Sequence, residues 1–158
     1  MNDVNLTHLD EAGNARMVDV SGKEVTVRQA TATARVHMAA QTVALLHSKE
    51  LPKGDALAIT RVAGIMAAKR TPDLIPLCHP VAIHGVDVSL ELGHDFVDIT
   101  ATVRTADRTG VEMEALTSVS VAALTLIDMV KGVDRTAWIA EVKVVEKTGG
   151  RSGAWQRQ

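Results

Sequence analysis

Apolar and polar residues alternate over residues 28–38, and this alternation predicts a half-buried β-strand. One parity is apolar and comprises Ala30, Ala32, Ala34, Val36 and Met38, while the other carries Thr31, Thr33, Arg35 and His37. Arg28 lies on the apolar parity at the start of the strand. A charged side chain in that position needs a partner or an exit to water.

Two further alternating stretches, residues 86–92 and 97–103, predict a β-hairpin around the turn Gly93-His94-Asp95. A final strand is predicted over residues 138–145. Strict alternation would give that strand one face made of Trp138, Ala140, Val142 and Val144.

Three stretches predict helices. Residues 39–48 suit a short helix, and a second helix is expected to begin after Asp55, a good N-cap, and to end at Pro72. Residues 111–132 predict the longest helix. Two prolines within residues 74–80 disfavour a regular central strand there.

The order strand, two helices, two strands, helix, strand indicates an α+β fold. We expect a ferredoxin-like (split βαβ) sandwich, with an antiparallel sheet covered by helices on one face. A chain of 158 residues fits a single domain, 1–158, with an N-terminal arm at residues 1–24. The glycine-rich tail at residues 148–158 is expected to be mobile unless something holds it.

The predicted helix 111–132 carries two stripes of residues. A conventional core stripe comprises Leu116, Val119, Ala123, Leu126, Ile127 and Val130. The second stripe mixes small, polar and charged residues: Met113, Thr117, Ser120, Leu124, Asp128 and Lys131. Either this stripe is a solvated face with an ordinary surface ion pair, or it closes a pocket in which Asp128 and Lys131 tune each other's pKa for proton transfer.

The two ends of that helix are far apart. Met113 and Lys131 are separated by about 27 Å at the helical rise of about 1.5 Å per residue. One small ligand does not bridge such a distance. If both ends serve one site, they come from different subunits.

Composition argues against several classes of partner. The net charge is −2, and the chain has one Phe, two Trp and no Tyr. Nucleic-acid binding needs cations for phosphates, and single-stranded nucleic acids also need aromatic platforms. The N-terminal sequence lacks the features of a signal peptide, and no apolar run reaches the roughly 18 residues of a membrane span. We therefore expect a cytoplasmic protein with no nucleic-acid or membrane partner.

Metal and nucleophile motifs are weak. Cys78, the only cysteine, is adjacent to His79, and the six histidines show no HxxxH or HExxH spacing, so no metal site is predicted. A buried thiol is favoured over a nucleophile activated by its neighbour.

Phosphate-binding motifs of the P-loop and GxGxxG kinds are absent from the sequence. Seven cationic residues near loops and element ends are either separate solvated side chains or, if they converge, a polyphosphate site: Arg28, Lys53, Lys69, Arg70, Lys131, Lys147 and Arg151.

Two long motifs are similar to those of a known family. Residues 69–80, KRTPDLIPLCHP, resemble the central motif of the cyclic pyranopterin monophosphate synthase family, also called the molybdenum cofactor biosynthesis protein C family. Residues 110–117, GVEMEALT, resemble its second motif. Shorter matches extend the resemblance over nearly the whole chain, at residues 6–9, 17–21, 120–125, 128–129, 131 and 147–153.

The resemblance implies a ferredoxin-like subunit that assembles into a homohexamer, a trimer of dimers, with active sites at subunit interfaces. The implied reaction converts 3′,8-cyclo-7,8-dihydroguanosine 5′-triphosphate into cyclic pyranopterin monophosphate and releases pyrophosphate. It implies no metal or organic cofactor, although magnesium can accompany the substrate triphosphate.

The resemblance also implies residue roles. Asp128 is expected to be the principal acid/base, with Lys131 beside it and Lys53 as a second catalytic lysine. The expected substrate contacts are Leu77, Cys78, His79, Met113 and Glu114, supported by Arg28, Lys69, Glu112 and Lys147. A coupled Lys/Asp set suits the proton transfers of ring opening and pterin closure, and cations suit the expulsion of pyrophosphate.

Three helix positions depart from the family pattern: Ile127, Val130 and Gly132 stand where tyrosine, cysteine and alanine are expected. None of these changes removes an expected chemical group. Two other hypotheses stay open, a module that senses a nucleotide without turning it over and a purely structural oligomer subunit. A sensor needs cations but no paired acid and base, so the Lys53, Asp128 and Lys131 set favours the enzyme.

Overall fold

A computed structural model describes residues 7–158. The first six residues of the predicted arm, including Leu6 of the opening motif, lie outside the described residues. The elements are β1 (Thr26–His37), α1 (Ala40–Ser48), α2 (Ala56–Lys69), α3 (Thr71–Leu74), β2 (Ile83–Leu92), β3 (Phe96–Asp107), α4 (Glu112–Val130), β4 (Trp138–Thr148) and β5 (Trp155–Gln156).

The five strands form one antiparallel sheet in the order β2-β3-β1-β4-β5. Helices α1–α3 connect β1 to β2 past β3, and α4 connects β3 to β4 past β1, which is the split βαβ arrangement. α2 and α4 pack on one another, while α4 packs on β1, β3 and β4. The predicted α+β ferredoxin-like sandwich is confirmed.

The alternation predicted for β1 is also confirmed. Ala30, Ala32 and Val36 are 0% exposed and face the helices. Arg28, the charged residue on this parity, finds a partner at the strand's start, where its Nε donates to the backbone oxygen of Asp107 at 3.0 Å. The outer face of the sheet is polar and carries ion pairs such as Lys143–Glu141 at 2.7 Å.

The face predicted for the last strand is wrong, because β4 contains two bulges. Val144 and Val142 lie opposite core residues of β1, but Trp138 pairs with His37 and stacks on its ring at 5.2 Å between centroids, on the outer face. Ala140 and Val145 have no partner residue on β1. Each extra residue reverses the parity of the strand.

The stripes predicted for the long helix are confirmed in part. Val119, Ala123, Leu126 and Val130 are buried as expected. The buried surface is wider than the predicted stripe, because Ala115, Thr117, Ala122 and Met129 are buried as well. α4 is long and apolar enough to pass for a membrane span, but more than half of its apolar window is buried inside the protein, as in a core helix.

The glycine-rich tail is attached to the sheet. Trp155–Gln156 pairs with β4, and the backbone nitrogen of Arg157 donates to the oxygen of Val145 at 2.8 Å. The Arg157 guanidinium lies over the Trp155 ring, 5.4 Å from its centroid. These contacts hold the part of the tail that follows residue 153.

Candidate active site

Six of the predicted substrate contacts and supporting residues meet at the N-terminal end of α4. They line a cavity of about 410 Å³, called cavity A here: Leu77, Cys78, His79, Glu112, Met113 and Glu114. The first turn of α4 supplies three of them, and the segment after α3 supplies the others. The structure thus brings the two long sequence motifs together.

Local backbone contacts position the Leu77–His79 segment. The hydroxyl of Thr71, which is fully buried, donates to the oxygen of Ala68 at 3.0 Å and so fixes the start of α3 on the end of α2. The Cys78 nitrogen donates to the oxygen of Ile75 at 3.1 Å. This turn directs the segment towards the first turn of α4.

Glu114 is the buried carboxyl group of cavity A, at 2% exposure. Burial, helped by the nearby Glu112 carboxylate, raises the pKa of Glu114 to about 7. At neutral pH this side chain therefore exchanges readily between a hydrogen-bond donor and an acceptor. Burial and Glu114 also raise the pKa of the Cys78 thiol, so the thiol form dominates and a nucleophilic thiolate is not favoured.

The N-terminal arm forms a wall of cavity A, which the sequence pattern did not predict. His79 Nε2 lies 2.5 Å from the backbone oxygen of Val18 and donates to it. Thr7, His8, Val20 and Lys23 line the same wall. The arm has no helix or strand periodicity, so the resemblance over residues 6–9 and 17–21 was the only available signal.

The three predicted catalytic residues meet at the other end of α4. Lys131 Nζ lies 2.6 Å from Asp128 Oδ1, and Lys53 Nζ lies 3.1 Å from Asp128 Oδ2. Lys53 Nζ also donates to the Asp128 backbone oxygen at 2.8 Å. Hydrogen bonds from Lys131 and Lys53 lower the pKa of Asp128, so it is an ionised carboxylate between two ammonium groups. We call these residues the acid–base cluster.

The loop that carries Lys53 is fixed at both sides. Asp55 caps α2 by accepting from the Ala58 nitrogen at 3.1 Å. On the other side, the Glu50 nitrogen donates to the oxygen of Leu45 at 3.2 Å and closes the end of α1. The start of α1 is tied to the turn after α4, because the Asp134 carboxylate accepts from the Ala39 nitrogen at 2.8 Å and from the Thr42 hydroxyl at 3.0 Å. Hydrogen bonds, led by that from the Thr136 hydroxyl, lower the pKa of Asp134 to about 2.

The remaining supporting residues, Lys147, Arg28 and Lys69, lie at three different places. Lys147 Nζ lies 3.9 Å from Glu112 Oε1 and bonds the hydroxyl of Ser152. Arg28 lines a second cavity of about 410 Å³, called cavity B here, together with Gly22, Lys23, Glu24, Thr26, Gly150 and Arg151. Lys69 is exposed at the end of α2 and is not among the described residues that line either cavity.

One protomer does not bring cavity A and the acid–base cluster together. They lie at opposite ends of α4, which has 19 residues and is therefore about 28 Å long at the helical rise. The side chains of the acid–base cluster are between 43% and 59% exposed. Within residues 7–158, no group of three or more His, Cys, Asp or Glu side chains is arranged to hold a metal ion.

Comparison with known proteins extends the motif resemblance to almost the whole chain. A cyclic pyranopterin monophosphate synthase of Streptomyces coelicolor is 66% identical over 152 residues, which cover 96% of this chain and 89% of that protein. Cyclic pyranopterin monophosphate synthase 2 of Mycobacterium bovis is 60% identical over 153 residues, covering 97% and 92% of the two chains. A synthase of the same name from Roseiflexus castenholzii is 59% identical over 150 residues, covering 94% and 95%. Residues 17–150 match the MoaC family, and with these relatives they show that the chain belongs to it.

Proposed function

We propose that this chain is a lyase that converts 3′,8-cyclo-7,8-dihydroguanosine 5′-triphosphate into cyclic pyranopterin monophosphate and pyrophosphate, a step of molybdenum cofactor biosynthesis. The observation that carries the proposal is the identity of 59% or more, over at least 94% of the chain, to proteins named cyclic pyranopterin monophosphate synthase. The substrate is a soluble nucleotide, and we place the enzyme in the cytoplasm.

The acid–base cluster is suited to the proton transfers of this reaction. Asp128 is an ionised carboxylate that accepts a proton, while Lys53 and Lys131 each hold a proton within hydrogen-bond distance of it. The same ammonium groups stabilise negative charge on phosphate oxygens as pyrophosphate leaves. The proposed reaction uses no resident metal or organic cofactor, and magnesium enters bound to the substrate triphosphate.

We propose that a complete site combines cavity A of one subunit with the acid–base cluster of another, in a homohexamer built as a trimer of dimers. The distance between cavity A and the acid–base cluster, which lie at opposite ends of α4, supports this arrangement. So does an exposed apolar stripe on the outer faces of the helices, where Ile59, Val62 and Met66 of α2 and Leu124 of α4 are between 44% and 59% exposed. Such a stripe suits burial against a second copy of the chain.

The proposal is tested by incubating the purified protein with the cyclised triphosphate and measuring pyrophosphate and the pterin product. We expect Lys53→Ala and Lys131→Ala to lower the rate by about 100-fold or more, as for loss of a general acid or base. Lys143→Ala is the matched control, because Lys143 is a lysine paired with Glu141 on the outer face of the sheet.

The assay also separates the other hypotheses. Binding of the triphosphate without pyrophosphate release would contradict the enzyme and favour a sensor. Protein treated with a chelator and then supplied with magnesium is expected to regain full activity with no other addition.

A further inference from the structure

Asp134 is a buried carboxylate that lies outside the acid–base cluster, in the turn directly after α4. Its exposure is 7%. Oδ2 accepts from the Ala39 nitrogen and the Thr42 hydroxyl, and Oδ1 accepts from the nitrogen and the hydroxyl of Thr136, at 2.8 and 2.6 Å. All these donors are neutral. Because a buried charge is costly unless it is hydrogen-bonded, the carboxylate stays in place only while its donors do.

The contacts of Asp134 with α1 replace a helix cap. The N-cap residue Ala39 has no side chain that can cap α1. In a capping box, the side chain of the N3 residue accepts a hydrogen bond from the N-cap nitrogen. Here the N3 residue is Thr42, and Asp134 accepts both from the Ala39 nitrogen and from the Thr42 hydroxyl. Asp134 therefore caps α1 from 95 positions away in the sequence.

The turn that carries Asp134 continues the backbone of α4. The Lys131 nitrogen donates to the oxygen of Ile127 at 2.8 Å, and the Asp134 nitrogen donates to the oxygen of Val130 at 2.9 Å. Asp134 is thus fixed relative to Lys131 and to the last turns of α4, where Asp128 lies. Its side chain attaches the first turn of α1 to the segment that carries two members of the acid–base cluster.

The other end of α1 leads to the third member, Lys53. α1 has nine residues and is about 13 Å long at the helical rise. Leu46 of α1 and Leu51 after it are buried, and the Gly54 nitrogen donates to the oxygen of Leu51 at 3.1 Å, which closes the turn around Lys53. A short helix moves as one body, so a shift of its first turn also displaces this loop.

We propose that Asp134 is a positioning residue: it holds α1 against the end of α4 and so keeps Lys53 Nζ within hydrogen-bond distance of Asp128. The geometric part of this inference stands alone, and its effect on the rate rests on the proposed function. Asp134 acts through α1 and takes no part in proton transfer. Hydrogen bonds, led by that from the Thr136 hydroxyl, lower the pKa of Asp134 to about 2, so it stays ionised near neutral pH.

The first test measures lysine reactivity, with acetic anhydride as the reagent and mass spectrometry as the readout. Thr42→Val removes one donor on α1 and leaves the carboxylate in place. Asp134→Asn is the stronger change, because each oxygen of Asp134 accepts from a backbone N–H and an amide satisfies only one of the two. In both variants Lys53 is expected to react several-fold faster, because its hydrogen bonds to Asp128 loosen.

Two other lysines serve as references in the same experiment. Lys131 pairs with Asp128 within one helix, and Lys143 pairs with Glu141 on the outer face of the sheet, so both rates are expected to stay within about twofold of the wild type. Thr102→Val is the matched control, because it removes a hydroxyl that bonds Thr31 on that outer face. It is expected to change none of the three rates.

The second test is kinetic. With the cyclised triphosphate, Thr42→Val is expected to lower kcat by about tenfold, and Asp134→Asn by more, since small displacements of a catalytic group are costly. KM is expected to stay within about twofold, because cavity A lies at the other end of α4. A merely structural role would instead lower the amount of folded enzyme and leave the kcat of the folded fraction unchanged.

Unchanged reactivity of Lys53 in Thr42→Val, or an equal rise at all three lysines, would overturn the inference. Thr42→Val decides the outcome if Asp134→Asn does not fold. The labelling does not depend on turnover. Selective labelling of Lys53 in a protein that released no pyrophosphate would therefore remove the proposed function and keep the role of Asp134 in placing Lys53.

Discussion

Glu114 is a carboxyl group that folding removes almost completely from water. Its exposure is 2%, and its pKa is raised from an ordinary value of 4.5 to about 7. Below pH 4.5 the carboxyl is protonated in both the folded and the unfolded chain. Between pH 4.5 and about 7 the unfolded chain releases the proton while the folded chain keeps it, so stability falls as the pH rises, and it levels off above pH 7.

The Glu114→Gln variant is expected to remove this pH dependence. Since a tenfold change in proton affinity is worth about 1.4 kcal/mol, the wild type should lose about 3 kcal/mol relative to the variant across this pH window. Urea unfolding at fixed protein concentration, repeated between pH 4.5 and 8, measures the difference. Glu91→Gln is the control, because Glu91 is exposed. Parallel pH curves for the wild type and Glu114→Gln would contradict a raised pKa.

Some residues of the site could be predicted from the sequence and others could not. Asp128 and Lys131 lie three positions apart on one helix, so their contact follows from helical geometry. Lys53 and Lys147 were found through the resemblance, because no local pattern reports that residues 75 positions apart in sequence are neighbours. Lys23 was missed altogether, since it lies in a polar segment without periodicity and its position depends on the arm folding back over cavity A.

At the scale of elements, the close approach of α2 and α4 places both halves of the candidate site. Gly64 faces Ser118 and Ala122, and a Cβ atom on Gly64 would lie 3.2 Å from the Ser118 hydroxyl and 3.3 Å from the Ala122 Cβ. Small residues on both helices let their backbones pack closely. The loop with Lys53 and the segment with Cys78 are attached to the two ends of α2, so this contact fixes them relative to α4.

Gly64→Val is therefore expected to destabilise the protein by about 2–3 kcal/mol through overpacking, despite the gain in helix propensity over glycine. Gly132→Val is the matched control, because nothing lies within 4 Å of a Cβ atom at that position. Thermal and urea unfolding measure both variants. A Gly64→Val protein as stable as Gly132→Val would show that the helices can separate at no cost.

Strand parity predicted β1 and the hairpin correctly, but it failed for β4. Alternation of apolar and polar residues is a local property of one strand. In β1 it gives the correct faces, because β1 pairs with β3 along its whole length without a bulge. A bulge depends on which residue of the neighbouring strand accepts each hydrogen bond. The two bulges of β4 are therefore not visible in the pattern of apolar and polar residues along β4 itself. The strand was therefore predictable and the direction of its side chains was not.

At the scale of the whole molecule, the distance between cavity A and the acid–base cluster predicts complementation between subunits. Lys53→Ala removes a group from the cluster, and Glu114→Ala removes one from cavity A. Each variant alone is expected to be nearly inactive. In hexamers formed randomly from equal amounts of the two, about a quarter of the sites would combine an intact cavity with an intact cluster, by random pairing at each interface.

Co-refolding of the two variants, followed by measurement of pyrophosphate release and of molar mass by light scattering, checks this expectation. The control mixes Lys53→Ala with Lys131→Ala, which both damage the acid–base cluster and should restore no activity. Recovery in the control, or no recovery in the test mixture at a hexameric mass, would contradict a site shared between subunits.

The second bulge of β4 determines which face of the sheet Lys147 occupies. Lys147 lies opposite Ala30, on the face that carries Glu112, only because Val145 is unpaired. If Val145 joined the ladder, Glu146 would move opposite Ala30 and Lys147 would turn to the outer face, whereas deletion of Val145 would straighten the strand and leave Lys147 where it is. The unpaired position is therefore where β4 can lose a residue during evolution without exchanging its two faces.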